Sequence, residues 1–266
     1  MNGLLFAAAA GACGGAVGVG VAWLAARILG RRPQWLSIVP WVCIAIAISI
    51  VRIFQPAAGY DALRELDKTA TVAAIKTHHP EDYARLAASV RRLAPSGARE
   101  DLNAAVSAVV TDVIRRERPK ADEESSAALL GVSREQARAL RDVDPAGCVA
   151  FMEGRGAPAS LAKVWTAQMV ARDLEASGRL LAQAATSPAP PAAPLTEVEL
   201  LQLSRDAALR LPEADRGAVA AMLSEGREPA SEAEHRSMCD FVLAVADVAL
   251  DRPPAGSLVR RLWARP

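Results

Sequence analysis

Two long uncharged runs, separated by a short basic loop, dominate the hydrophobic pattern at the start of the chain. The first run covers residues 1–26, and the second covers residues 33–51. A transmembrane helix needs about 20 consecutive apolar residues, so the first run is long enough and the second is close to the minimum. We therefore predict an N-terminal two-helix transmembrane hairpin over residues 1–54, with spans at about 4–26 and 35–53.

The first run has three other interpretations: a cleaved signal peptide, a lipoprotein signal that ends at Cys13, and a single span. A signal peptide has a positively charged start and a shorter apolar region, whereas this chain starts with Met-Asn-Gly. Small residues precede Cys13, but the leucine expected three positions upstream is missing, and apolar sequence continues beyond the cysteine. The hairpin fits these features better than the processed forms do.

The arginines of the basic loop predict the orientation of the hairpin. Arg27, Arg31 and Arg32 lie between the two runs, and short loops rich in arginine stay in the cytoplasm. We therefore predict a multi-pass protein of the inner membrane whose loop faces the cytoplasm. The chain after the second span is then expected to be periplasmic or otherwise external.

Four glycines in the first run form two overlapping pairs with the spacing of close helix contacts in membranes. They are Gly11, Gly14, Gly15 and Gly18. Small residues let helix backbones approach closely in lipid, where apolar burial does not drive association. We predict that this face packs on the second span of the same chain, and self-association through the face is the alternative.

Helix start signals recur in the rest of the chain, which we call the body. Pro80 with two acidic residues after it is typical of a first helical turn, and so is Asp144 followed by Pro145. Three pairs have the spacing of a capping box: Ser133 with Gln136, Thr196 with Glu199, and Ser231 with Glu234. These signals predict several helices in the body.

The periodicity of the body supports an all-α fold. One clean helical stripe comprises Leu102, Ala105, Val106, Val109, Val110, Val113 and Ile114. Alanine, the best helix former, is abundant, and no strand pattern occurs. A longer helix is expected over residues 160–177, ending before Gly178, because glycine commonly follows the last turn of a helix.

A segment rich in proline and alanine, residues 187–195, predicts an extended linker. It divides the body into a helical domain over 59–186 and a C-terminal helical subdomain over 196–266. The subdomain contains a candidate helical-hairpin repeat, because DAALRLP at 206–212 resembles DVALDRP at 247–253. Chance similarity between alanine-rich helical hairpins is the alternative.

The histidines give little support for a metal or catalytic site. His78 and His79 precede Pro80 and are expected to face solvent at a helix start, although imidazoles near carboxylates also fit a metal site. His235 lies four residues before Cys239 on an apolar stripe, which indicates a buried polar edge of the core. No recognised catalytic or nucleotide-binding motif occurs. We therefore assign no catalytic residue, no metal site and no cofactor.

The positions of the cysteines allow a more specific prediction. Cys13 and Cys43 fall in the predicted spans, whereas Cys148 and Cys239 fall in the body on either side of the linker. In an oxidising compartment two cysteines of an external body form a disulfide. We predict a Cys148–Cys239 bond, with two buried free thiols as the alternative.

Function is constrained only broadly by these features. The formal net charge of +1 argues against nucleic-acid binding. The expected partners are the lipid bilayer and another protein, or a second copy, and the expected role is that of an accessory or assembly component. A membrane-anchored enzyme of hydrolase type is the alternative.

The C-terminal tail offers a candidate interface for such a partner. Arg260, Arg261, Leu262 and Trp263 combine the two residue types, tryptophan and arginine, that are most enriched at binding hot spots. The alternative is that Trp263 closes the core of the C-terminal subdomain.

Overall fold

The computed structural model describes residues 59–94, 99–153 and 160–264, and over these ranges the chain is all-helical. The predicted hairpin, its glycine face and the basic loop lie outside the described residues. Among the helices that are described, none is long and apolar enough to cross a membrane. The all-α prediction is confirmed for the body.

The helices follow one another in the order of the chain, with short turns between most of them. They are α1 (Gly59–Leu66), α2 (Ala70–His78), α3 (Pro80–Leu93), α4 (Arg99–Glu117), α5 (Glu123–Arg141), α6 (Pro145–Met152), α7 (Leu161–Val164), α8 (Ala167–Thr186), α9 (Glu197–Leu209), α10 (Glu213–Glu225), α11 (Glu232–Asp251) and α12 (Ser257–Trp263). A 3-10 helix, Arg118–Lys120, joins α4 to α5.

Polar caps fix where many of these helices begin. Thr196 and Glu199 form the predicted capping box, in which each side chain bonds the backbone N–H of the other residue. Asp144 accepts from the N–H of Gly147 at 2.7 Å. Ser231 accepts from Glu234, but the Glu234 carboxylate bonds the N–H of Ala230. Side-chain caps at Thr69, Asp122 and Thr166 were not predicted.

Two predicted boundaries are wrong. Ser133 and Gln136 are buried inside α5, where the Ser133 hydroxyl donates to the carbonyl of Leu129 at 3.0 Å, so they do not start a helix. The helix expected over 160–177 is broken at Trp165, because Thr166 caps a new helix, α8. That helix continues through the glycine that was expected to end it.

Gly178 stays helical because its lack of a side chain lets α8 pack closely on α2. A Cβ built on Gly178 would lie 2.6–2.8 Å from the backbone and Cβ of Ala70, at the start of α2. Beside this contact, the Thr71 hydroxyl donates to the carbonyl of Leu174 at 2.8 Å. A close approach between two helices, rather than a turn, therefore explains the glycine.

One continuous hydrophobic core extends from Ala62 to Trp263. Helix α5 packs on α8 on one side and on α6 and α11 on another. Helix α11 is buried along most of its length and also contacts α9 and α10, as expected for a helix that is apolar on nearly all sides. The predicted stripe on α4 faces this core, with Val106, Val110 and Ile114 fully buried.

The linker lies against both parts of the body that it connects. It is non-helical from Ser187 to Leu195, as predicted. Its Ala189 N–H donates to the carbonyl of Lys120 at 2.8 Å, and its Ala193 carbonyl accepts from the Arg261 guanidinium at 3.1 Å. Because Leu195 is also buried, the linker is docked by specific contacts along its length.

The two halves of the candidate repeat meet at their helix ends. Arg210 follows α9 and pairs at 2.7 Å with Asp251, the last residue of α11. The two residues are 41 positions apart and occupy equivalent places in the candidate repeat. A second ion pair joins Arg252 to Asp206. Each half has the helix, proline turn and helix of the predicted outline, and an evolutionary repeat stays a prediction.

Substitution of Gly178 by alanine is expected to lower the free energy of unfolding by about 1–3 kcal/mol, the usual cost of overpacking. The cause is the close contact with Ala70. Gly131→Ala in α5 is the matched control, because nothing lies within 4 Å of its added Cβ. The control should be neutral or stabilise by about 0.5–1 kcal/mol through helix propensity. Urea unfolding of the purified chain measures both, and equal effects would contradict the packing explanation.

Candidate functional site

The predicted cysteine pair lies at disulfide distance in the core. Cys148 on α6 and Cys239 on α11 have their sulfur atoms 1.98 Å apart and their Cα atoms 5.8 Å apart. Cα separations of this size are typical of disulfides. The two cysteines are 91 residues apart in the sequence, so the bond joins the part of the body before the linker to the part after it.

The candidate interface residues of the tail make contacts within the chain itself. Leu262 and Trp263 are 2% and 3% exposed, so both belong to the core. Arg260 donates to the carbonyl of Pro190, and Arg261 pairs with Glu199 at 2.7 Å. The burial of Trp263 matches the alternative in which it closes the core, because α12 covers α5 and the 3-10 helix.

The ion pair between Arg261 and Glu199 lies in the first turn of α9. Arg261 and then the backbone and hydroxyl of Thr196 lower the pKa of Glu199 to about 2. The carboxylate therefore stays charged over the whole physiological range. Both ends of the pair are open to solvent, and exposed ion pairs of this kind contribute little to stability.

The histidines occupy two different environments. His79 lies between α2 and α3 with its ring largely covered, in contrast to the expected solvent exposure. Its Nδ1 is 4.0 Å from Glu117, its Nε2 is buried without a partner, and burial lowers the pKa of the ring. His235 bonds the carbonyl of Ser231 at 2.9 Å, while Cys239 lies at bonding distance from the other cysteine of the core. No group of three metal-ligating side chains occurs in the described ranges.

Buried carboxylates near His79 are saturated by cations. Glu117 accepts from Lys120 at 2.9 Å and from Arg116 at 3.4 Å. Asp82 pairs with Arg116 and Arg85. Burial opposes the charged form of Asp82, but these two arginines outweigh it and lower the pKa. The network therefore ties α3 to α4 and occupies the carboxylates of Asp82 and Glu117.

Arg118, unlike the exposed cations of this network, is itself buried. It is 6% exposed, and its Nε and Nη1 atoms have no hydrogen-bond partner. Burial and then the nearby Arg115 lower its pKa to about 9. Its guanidinium carbon lies 5.0 Å from the centre of the Trp263 ring, a cation–π contact of about 0.5–2 kcal/mol. The ring supplies no oxygen acceptor, and an unmet buried donor costs about 1–3 kcal/mol.

Asp173 is a second buried ionisable group without a partner, and it is an acid. It faces α5 from α8, is 0% exposed, and neither carboxyl oxygen has a hydrogen-bond partner. Gln136, buried opposite on α5, is the group that interacts with it, and both polar atoms of that amide are also unsatisfied. Burial raises the pKa of Asp173 well above its usual range, with Gln136 opposing. The acid is therefore held in its neutral form.

Sequence reasoning missed both of these groups. Asp173 lies three residues after Val170 and seven before Leu180, on the buried stripe of α8, so periodicity could have identified it. Arg118 lies within the charged segment RRERPK, which is typical of an exposed turn. The packing of α4, α8 and α12 around the 3-10 helix buries it.

Comparisons of the chain with protein-family models, with curated proteins and with solved structures gave no match.

Asp173→Asn is expected to raise the free energy of unfolding at neutral pH. The folded pKa of Asp173 is raised, so the neutral form stabilises the fold fully below the ordinary aspartate pKa of about 4. That contribution is lost as pH rises toward the folded pKa, at up to about 1.4 kcal/mol per pH unit. Asparagine stays neutral, and its amide can donate to Gln136.

Urea unfolding from pH 4 to pH 8 measures this effect. Asp142→Asn is the control, because the Asp142 side chain is 74% exposed. If the wild type and Asp173→Asn lose stability in parallel as pH rises, Asp173 is not the buried neutral acid described above.

Proposed function

We propose that this chain is a membrane-anchored, non-enzymatic interaction protein that presents its helical body outside the cytoplasm. The observation that carries the proposal is the Cys148–Cys239 pair, buried at disulfide distance in the core. Disulfides persist in oxidising compartments and are rare in the cytosol. An accessory subunit of a transport or secretion assembly is one form of this role.

Loop charge supports the same side of the membrane independently. Arg27, Arg31 and Arg32 between the two uncharged runs favour a cytoplasmic loop, which leaves the body external. The charge rule concerns residues far from the cysteines in the sequence. Agreement between the two arguments therefore strengthens the proposed location.

Helix α9 supplies the surface for the proposed contact. Val198 and Leu209 are 75% and 56% exposed, and their spacing of eleven residues, about three turns, puts them on one face. Gln202 and Arg205, also exposed, lie between them on that face. Single exposed apolar residues are common, so the proposed contact rests on the shared face of these two and not on a continuous apolar patch. This face belongs to the C-terminal piece, 196–266.

An enzymatic role receives less support from the geometry. A hydrolase needs an ionisable side chain that substrate can reach. Two acid–base groups that lack a hydrogen-bond partner, His79 Nε2 and the Asp173 carboxyl, are closed off from solvent. The interaction role is therefore the one that we propose.

Thiol trapping in intact cells tests the location of the body. In a chain with Cys13→Ser and Cys43→Ser, alkylation before lysis should leave Cys148 and Cys239 unlabelled until a reductant is added. Adding Cys148→Ser should expose Cys239 to labelling in the denatured chain without reduction, which is the matched control. Full labelling of both cysteines in the unreduced, denatured chain would place the body in a reducing compartment.

Site-specific photocrosslinking in native membranes tests the contact surface. A photoreactive residue at position 202 should give discrete crosslinked species, and Val198→Lys with Leu209→Lys should abolish them. The control position is 143, because Val143 is also exposed, at 55%, but lies in the turn between α5 and α6. Equal crosslinking from both positions, or none from position 202, would contradict the proposed surface.

A further inference from the structure

The 3-10 helix before α5 carries a positive charge that the described part of the chain does not neutralise. Arg118 is nearly buried, and two of its guanidinium nitrogens lack acceptors. The neighbouring acids are engaged elsewhere: Glu117 bonds Lys120, and Asp122 accepts from the N–H of Ser125. The charge that does act on Arg118 is a second cation, Arg115.

Trp263 adds a second unmet donor at the same place. The Arg118 guanidinium lies 5.0 Å from the centre of the Trp263 ring, and the indole Nε1 is buried without an acceptor. The stacked guanidinium and indole thus present only donors. Buried donors normally have acceptors, so this pair lacks a complementary acceptor group.

The linker and a second arginine lie beside the 3-10 helix. The linker is held here by the Ala189 bond to the Lys120 carbonyl, and Arg260 reaches the linker at Pro190. Arg115 is exposed and shows no ion pair with an acid in the described ranges. No carboxylate of the described ranges therefore pairs with the buried guanidinium of Arg118.

We propose that Arg118 and Trp263 form a binding subsite for a carboxylate group. Arginine binds carboxylates through planar, charge-assisted hydrogen bonds, and the indole N–H can donate to the same group. A monoanion balances the single buried guanidinium, whereas a doubly charged phosphate would leave a buried negative charge uncompensated. This inference is independent of the proposed interaction role.

Occupancy of the subsite is linked to the docking of α12. Arg118 belongs to the part of the body before the linker, and Trp263 belongs to the last described helix. A carboxylate held by both side chains joins these two parts. Because a ligand that binds only the folded state stabilises it, binding should raise the melting temperature of the full chain.

Sodium acetate is the probe, compared with sodium chloride at equal ionic strength. At about ten times its dissociation constant, acetate should raise the melting temperature of the purified full-length chain by roughly 3–6 °C. Arg118→Met should lose this response. Arg115→Met, which removes an exposed cation from the same neighbourhood, should keep it.

Nitrogen-15 NMR of the indole N–H groups gives a readout that does not depend on stability. Acetate should shift the Trp263 signal in a saturable way and leave Trp165 unchanged, although the Trp165 indole is also buried without a partner. A response to acetate no larger than that to chloride, or one retained in Arg118→Met, would overturn the proposal. Stronger stabilisation by phosphate than by acetate would overturn the carboxylate assignment.

Discussion

Burial of α11 is the constraint on which the rest of the body depends. Nearly every turn of Glu232–Asp251 carries apolar side chains on more than one side, so the helix has to be enclosed by neighbours. Helices from both sides of the linker cover α11. Helices α5 and α6 precede the linker, and α9 and α10 follow it. A shared core across the linker follows from this enclosure.

The disulfide lies where α6 packs against α11. Cys239 belongs to α11 and Cys148 to α6, so the bond reinforces a packing contact that the hydrophobic core already makes. The loop that it closes is long, and models of chain entropy assign such bonds about 4–5 kcal/mol. Covalent and hydrophobic terms therefore act on the same pair of helices, and the linker contacts at Lys120 and Arg261 add to them.

Two polar groups interrupt this core without full compensation. Arg118 lacks an acid where α12 meets the 3-10 helix, and Asp173 lacks a cation where α8 meets α5. Unpaired ionisable groups cost stability in a protein interior, and such departures from ideal packing concentrate at functional sites. Asp173 avoids part of the cost by staying protonated. Arginine stays charged at neutral pH, which makes Arg118 the stronger sign of a ligand.

Local signals determined much of the body directly. The apolar stripe of α4, the proline in the first turn of α3, the box at Thr196 and the Cys148–Cys239 pairing were predicted, because each depends on a short spacing or a small choice of partners. The membrane hairpin and its orientation are likewise expectations from sequence alone.

Tertiary packing decided the rest. Gly178 was predicted to end a helix, yet it remains inside α8 because Ala70 occupies the space of its missing side chain. Trp263 is of a residue type that is enriched at binding hot spots, but α5 and the 3-10 helix bury it. Arg118 lies in a segment that is typical of surface, but the packing of α8 and α12 around the 3-10 helix removes it from solvent. In each case a neighbour distant in sequence set the environment, and a local pattern contains no information about that neighbour.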